Sequence, residues 1–121
     1  MKAAILTIGD EIMIGQLIQN IAANGAKYNL QGGTLSIKAY TRYSTQIAIE
    51  FTDTGIGIAK DDISKIFKKF TRISNKEQNK TIGYGIGLAY AKRCAIVHGG
   101  KIMVRSKIGF GTTFTVIMQK Y

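Results

Sequence analysis

Asp53, Gly55 and Gly57, in the stretch DTGIGIAKDD, combine a carboxylate with two glycines around one apolar residue. An ionised carboxylate accepts hydrogen bonds and cannot donate them. Glycine lets backbone come close to a ligand and takes up torsions that other residues avoid. Further on, TIGYGIGLAY repeats the glycine theme at Gly83, Gly85 and Gly87. Neither stretch carries the Gly-Lys-Ser/Thr ending of a phosphate-wrapping loop. The two are either structural turns or parts of a nucleotide site built in another way. A third set lies upstream: Asn20, Asn24 and Lys27 form a narrow polar stripe at helical spacing, with Tyr28 beside it. Polar groups at the edge of a buried face are placed to line a pocket.

These residues need elements to hold them. A helix is expected from about Glu11 to Tyr28, with Ile14, Leu17, Ile18, Ile21 and Gly25 on one face and Asp10 as its N-cap. NLQGG ends it. TLSIKAYTRY then alternates as a strand with Leu35, Ile37 and Ala39 on one side, STQ turns, and QIAIEFTDT alternates again with Ile47, Ile49 and Phe51 facing one way. Those two segments form a hairpin that ends on Asp53. A short helix follows from Asp61 to Phe67, with Ile63, Ile66 and Phe67 on one face. From Lys68 to Ile82 the chain is polar, basic and without a steady period, which predicts a long mobile loop. A second helix runs from near Gly85 to about His98, burying Leu88, Ala91, Ala95 and Tyr84, and HGG stops it. KIMVRSK and TTFTVIMQK, joined by IGFG, make a last hairpin. The fold class is α+β: a two-layer sandwich whose mixed, mostly antiparallel sheet is covered on one face by helices.

Composition narrows the function. The chain's 121 residues suit one domain with one core. No apolar run approaches the roughly 18 residues of a bilayer span, and the opening MKAAILTIGDE lacks a secretory cleavage site. The single cysteine, Cys94, excludes an intrachain disulfide and suits a reducing compartment as a packed side chain. The formal charge of +10 points to an anionic partner. Seven cations, Lys60, Lys65, Lys68, Lys69, Arg72, Lys76 and Lys80, fall in one segment with Asp61, Asp62 and Glu77, which reads as a solvated face or as an electropositive flap over a polyphosphate.

Taken together the motifs resemble the catalytic ATP-binding domain of sensor histidine kinases. That domain has the Bergerat fold, shared with gyrase-type topoisomerases, heat-shock chaperone ATPases and mismatch-repair ATPases. GDEIMIGQLIQNIAANGAKY matches the family's asparagine box, with Asp10, Gln16, Asn20 and Asn24 at its offsets; DTGIGI matches the first glycine box, IFKKF the phenylalanine box, GYGIGL the second glycine box, and HGGKI with GFGTTFTV the closing hairpin. Five such motifs in order over nearly the whole chain are far more specific than any one.

The resemblance implies roles for residues. Asp53 accepts the adenine amino group, with Gly55, Gly57 and Ile58 around the base and Tyr28 packed by it. Asn24 ligates Mg²⁺, Asn20 supports it one turn earlier, and Lys27 lies near phosphate oxygens, so Asn20, Asn24 and Lys27 carry the catalysis. Phe67, Phe70, Arg72 and Thr112 complete the ATP pocket. Gly83, Tyr84, Gly85, Ile86, Gly87 and Leu88 bring backbone N–H groups and a helix N-terminus onto the phosphates. The loop from Lys68 to Ile82 becomes the ATP lid, and the basic cluster answers to polyphosphate. Hydrolysing relatives place a glutamate where Asn20 stands, and an amide cannot take a proton at neutral pH, which favours a kinase over a self-contained ATPase.

By the same resemblance His98 is the histidine at the HGG helix end and not the phosphoacceptor, which lies on a dimerisation hairpin outside this sequence. The implied partners are ATP and ADP, that hairpin, and a response regulator. The domain is expected in the cytoplasm, possible as a monomer, without membrane insertion or nucleic acid. Gly25 stands where relatives have alanine, Lys69 where many have arginine, and Ala59 where proline is usual. MKAAILTIGDEIMIGQ also resembles the start of the molybdopterin-binding-like domain of competence-associated proteins, while its Asp10, Gln16 and Asn20 spacing fits the kinase family. Two other functions compete: a nucleotide-binding module without phosphotransfer, and a basic nucleic-acid-binding domain, whose affinity would fall steeply with salt.

Overall fold

The computed structural model describes residues 8–68, 71–75, 80–85 and 87–119, with side chains for 13–68 and 87–119. Helix α1 spans Ile8–Lys27 and is followed by strands β1 (Leu35–Arg42) and β2 (Gln46–Asp53), then a 3₁₀ helix at Lys60–Lys65. Strands β3 (Thr71–Asn75) and β4 (Lys80–Gly85) come next, then helix α2 (Gly87–Val97) and strands β5 (Lys101–Lys107) and β6 (Gly111–Gln119). Four strands form one sheet in the order β1-β2-β6-β5, and β3 pairs with β4 separately. Every described pairing is antiparallel. The expected α+β sandwich is present, and a mixed sheet would have to involve residues outside those described.

The helices lie on one face of the four-stranded sheet because both are apolar on one side only. Leu17 and Ile21 of α1 and Leu88, Ala91, Cys94 and Ala95 of α2 are buried against Ile49 and Phe51 of β2 and Phe114, Val116 and Met118 of β6. Fully burying one such large apolar side chain contributes about 1.5–3 kcal/mol. The cross-strand register lines up Phe51 with Phe114 and Ile49 with Val116, so the inward rows of the two central strands meet the helices together. Cys94 is packed in this core, as its apolar setting implies.

Four expectations need correction. The segment read as a formless loop from Lys68 to Ile82 contains the β3–β4 hairpin, with Ile73 opposite Ile82 and Ser74 opposite Thr81. Its β-branched Thr71, Ile73, Thr81 and Ile82 favour strand, but strands of five and six residues carry too few apolar positions to show a period. Helix α2 accordingly begins at Gly87 and not Gly85, and Tyr84 belongs to β4. Helix α1 already includes Ile8 and Gly9, so Asp10 stands within the helix and not at its N-cap. In β1 the phase is as expected, with Ile37 paired to Phe51 and Ala39 to Ile49, but Ile37 is 50% exposed. β1 is an edge strand of the described sheet, and periodicity identifies a face without saying how much of it is covered. The short helix after the first glycine box is of the 3₁₀ type; Ile66 is buried just after it, with Ile63 and Phe67 partly so.

Candidate functional site

The C-terminal end of α1, the end of β2 and the start of β6 converge on Asp53. Its Oδ1 accepts the backbone N–H of Gly55 at 2.9 Å and that of Thr112 at 3.1 Å. The first bond folds the chain back just after β2, and the second ties it to a strand 59 residues away. Burial pushes the Asp53 carboxyl above the usual carboxylate range, while these two backbone donors oppose the rise. Oδ2 makes no hydrogen bond among the described residues.

Around that carboxylate runs a narrow cleft of about 280 Å³, its open mouth included, lined by Asn24, Tyr28, Asp53, Ile56, Gly57, Ile58, Thr112 and Phe114. Ile56, Ile58, Phe114 and the Tyr28 ring make much of the wall apolar, Asn24 and Thr112 add polar groups, and Asp53 supplies the one carboxylate. Such a slot suits a flat heterocycle with an exocyclic donor. Six of the eight lining residues are among those singled out from the sequence; Ile56 and Phe114 are not. Phe114 meets Phe67 edge to face, with ring centroids 6.4 Å apart.

The glycines of DTGIGI are required by packing. A Cβ on Gly55 would lie 2.5 Å from the Tyr28 carbonyl and 2.9 Å from Asp53 Oδ1. Gly57 has φ +76° and a Cβ there would strike the Lys107 carbonyl. The Ile56 N–H bonds the Tyr28 carbonyl at 3.2 Å, and the Gly109 N–H bonds the Ile56 carbonyl at 3.0 Å. The box is thereby clamped between the end of α1 and the β5–β6 turn.

Ser106 is the residue that sequence reasoning missed. Its Oγ accepts the Ile58 N–H at 2.8 Å, donates to the Gly111 carbonyl at 3.0 Å and lies 2.7 Å from Thr112 Oγ1. One hydroxyl thus couples the first glycine box to the strand whose N–H holds Asp53. Ile102, Val104 and Ser106 share the inward phase of β5, so a polar residue ending an inward row was the available signal. Asn29, Thr34 and Thr54 form a second such knot: Thr54 Oγ1 donates to Asn29 Oδ1 at 3.0 Å and accepts the Thr34 N–H at 2.8 Å.

Toward the other end of the cleft, Asn24 is half-buried on its wall and its side-chain amide makes no hydrogen bond among the described residues. Lys27 is exposed, with its ammonium 5.2 Å from the Tyr28 ring centre. Asn20, one turn earlier, does not line the cleft: it takes a hydrogen bond from Gln16 Nε2 at 3.0 Å and gives one to the Gly87 carbonyl at 3.3 Å. It therefore fastens α1 to the first residue of α2. Leu88, in the first turn of α2, is completely buried in the core, so the structure packs it among apolar neighbours and does not present it to a ligand. Gly83 and Gly85 are on β4 and Arg72 on β3; the side chains of Arg72 and Tyr84, and all of Phe70 and Ile86, lie outside the described residues. His98 is buried at the far end of α2 from Gly87, with Nδ1 2.8 Å from the Cys94 carbonyl, while its own carbonyl accepts the Gln119 N–H at 2.9 Å.

A carboxylate in a largely apolar cleft, between a helix carrying asparagines and an antiparallel sheet, is the arrangement of an ATPase-type nucleotide fold, and comparison with known proteins agrees. The chain belongs to the family described as histidine kinase-, DNA gyrase B-, and HSP90-like ATPase, whose model matches residues 9–121. It is 39% identical over 112 residues to the adaptive-response sensory kinase SasA of Synechococcus elongatus, covering 93% of this chain and 28% of that protein. It is 37% identical over 107 residues to the sensor histidine kinase WalK of Bacillus subtilis, covering 88% of this chain and 18% of that one. Among solved structures it is similar to the mycobacterial sensor histidine kinase MprB (TM-score 0.80, 26% identity, covering 94% of this chain and 76% of that one). Full-length ShkA, solved in complex with AMPPNP, has a TM-score of 0.74 at 26% identity, over 89% of this chain and 22% of that one. The chain spans less than a third of the length of the curated relatives named here. It is a domain of the histidine-kinase ATP-binding type.

Proposed function

We propose that this chain binds Mg-ATP with adenine against Asp53 and serves as the catalytic domain of a sensor histidine kinase, donating the γ-phosphoryl group to a histidine on a separate dimerisation hairpin. One observation carries the reading: two backbone donors occupy Asp53 Oδ1 and leave Oδ2 as an acceptor in a largely apolar cleft. An acceptor so placed selects adenine's amino group over guanine's carbonyl. The likeness to a relative solved with AMPPNP supports it.

Magnesium fits the residues present. No cluster of three or more acidic, histidine or cysteine side chains exists among the described residues, so the cation would rest on the Asn24 amide oxygen, on phosphate oxygens and on water. That donor set is the one Mg²⁺ prefers. When bound, the ion neutralises charge on the phosphates. Lys27 supplies further positive charge at the same end, and the amides of the second glycine box and α2 face the phosphate oxygens.

In the transfer step a nitrogen lone pair of the acceptor imidazole forms a bond to the γ-phosphorus, the bond from that phosphorus to the β–γ bridging oxygen breaks with ADP leaving, and the imidazole N–H proton passes to solvent. This chain's contribution is positioning and charge neutralisation. Asn20 offers no base for water, so hydrolysis by the isolated chain is expected to be slow. In the whole kinase the phosphoryl group continues to a response regulator, and the domain works in the cytoplasm; no helix among the described residues is long and apolar enough to cross a membrane.

The test is a transfer assay with a purified acceptor hairpin, labelled ATP and Mg²⁺. Acid-labile, base-stable phosphohistidine on the hairpin, absent with Asp53→Asn, is expected. Tight nucleotide binding without phosphohistidine would reduce the chain to a nucleotide-binding module.

A further inference from the structure

The second oxygen of Asp53 faces an unusual wall. Gly25 of α1 is buried beside it, and a Cβ built on Gly25 would stand 3.7 Å from Asp53 Oδ2. That same point lies 2.9 Å from Leu35 Cδ1 and 3.6 Å from Leu35 Cδ2. Leu35 is the direct cross-strand partner of Asp53 in the β1–β2 register. The first residue of β1 therefore lays its methyl groups against the place where a side chain on α1 would be, next to the carboxylate's free acceptor. A small residue on the helix and a large one on the strand fill one space between them.

We propose that Leu35, admitted by Gly25, is the specificity wall for the amino end of the bound base: the chain takes purine nucleotides whose 6-amino group is unsubstituted and excludes those carrying an alkyl or aryl group there. The inference rests on the reading that the adenine amino group donates to Asp53. An amino group has two hydrogens. When one is given to Oδ2, the other projects past the carboxylate, and a substituent in its place must find room among the neighbours of Oδ2. Leu35 and Gly25 stand behind the cleft's lining, where the Leu35 methyls fill the space that a side chain on α1 would take; carbon there leaves a substituent no room and offers no hydrogen bond in exchange. Its position on the edge strand, only partly buried, makes it the member of the wall that can be cut back with least damage to the core. Gly25 cannot be enlarged without moving Leu35, and Leu35 cannot be shortened without leaving space beside Oδ2. The two positions are predicted to compensate.

Equilibrium titrations with ATP and with N6-benzyl-ATP, each with Mg²⁺, on the wild type, Leu35→Ala and Gly25→Ala/Leu35→Ala test this. The wild type is expected to prefer ATP by about tenfold or more. Leu35→Ala should bring the two ligands within about threefold, chiefly by tightening the analogue, and adding Gly25→Ala should restore the preference. Leu35→Val, which keeps strand propensity, should shift the ratio in the same direction and guards against unfolding of the alanine variant. A folded Leu35→Ala or Leu35→Val that binds ATP with the wild-type preference overturns the inference and leaves the adenine reading intact. So does a wild type that binds both ligands equally. A folded wild type that binds neither overturns the adenine reading, and the inference falls with it.

Discussion

The two glycine boxes look alike as letters and differ as structures. In DTGIGI the missing side chains are demanded from inside the protein: Gly55 is overhung by the Tyr28 carbonyl, and Gly57 combines φ +76° with the Lys107 carbonyl at its back. At Gly87, which closes the second box, a Cβ would meet nothing nearer than Asn20 Cβ at 3.7 Å, an ordinary contact. The first box is glycine-rich because the fold needs it. Nothing within the described chain imposes the same need on Gly87, so its reason is sought in a ligand. The first box is thus fixed by the fold's own packing, while Gly87 keeps room that the proposed nucleotide phosphates would use.

The sharpest way to break that contrast is substitution at Gly57. Alanine there must adopt a left-handed backbone, costing about 1–2 kcal/mol, and must also push away the Lys107 carbonyl; a loss of more than about 2 kcal/mol in urea unfolding is expected. Wild-type stability in Gly57→Ala would contradict the structural role given to the first box. Ser106→Ala comes next. It strands the Ile58 N–H and should lower stability by about 1–3 kcal/mol, with nucleotide affinity falling as the Thr112 strand loosens from the box. Gly87→Ala should do the reverse: unfolding free energy within about 1 kcal/mol of wild type, since alanine is the better helix former, but weaker Mg-ATP binding.

The smallest effect is electrostatic. Because burial raises the folded pKa of Asp53, the folded state holds this proton more tightly than the unfolded chain does. Any resulting destabilisation is absent below the ordinary carboxylate value of about 3.9, grows as pH rises through the raised folded value, and is constant above it. Melting temperatures compared with Asp53→Asn across this range should show the variant gaining on the wild type as pH rises. Nucleotide affinity should move the opposite way, weakening as acid protonates the acceptor.

What was legible in the sequence follows the same division. Local periodicity placed α1, both hairpins of the main sheet and the apolar face of α2, because Leu17, Ile21, Phe51 and Val116 each repeat at the spacing of their own element. Asp53, Asn24, Tyr28 and Thr112 could be singled out through a family likeness and are brought to one cleft. Ser106 was passed over: a polar residue ending the inward row of β5 marked the position, but its weight comes from a cross-strand pairing with Thr112 that only the register supplies. The β3–β4 hairpin escaped for a different reason: its strands are only five and six residues long, with Ile73 and Ile82 their sole aliphatic residues. Asn20 was read as supporting the metal end one turn before Asn24; the structure adds a bond from its amide nitrogen to the Gly87 carbonyl, a contact between residues 67 apart that only the packing of α1 on α2 creates.

Calorimetric titration of the wild type and Asp53→Asn with a non-hydrolysable ATP analogue and Mg²⁺ tests the central claim most directly. Saturable binding by the wild type, lost or weakened at least about tenfold in a variant that remains folded, is the predicted result. Equal binding by the two proteins, or none by a folded wild type, would contradict adenine recognition at Asp53.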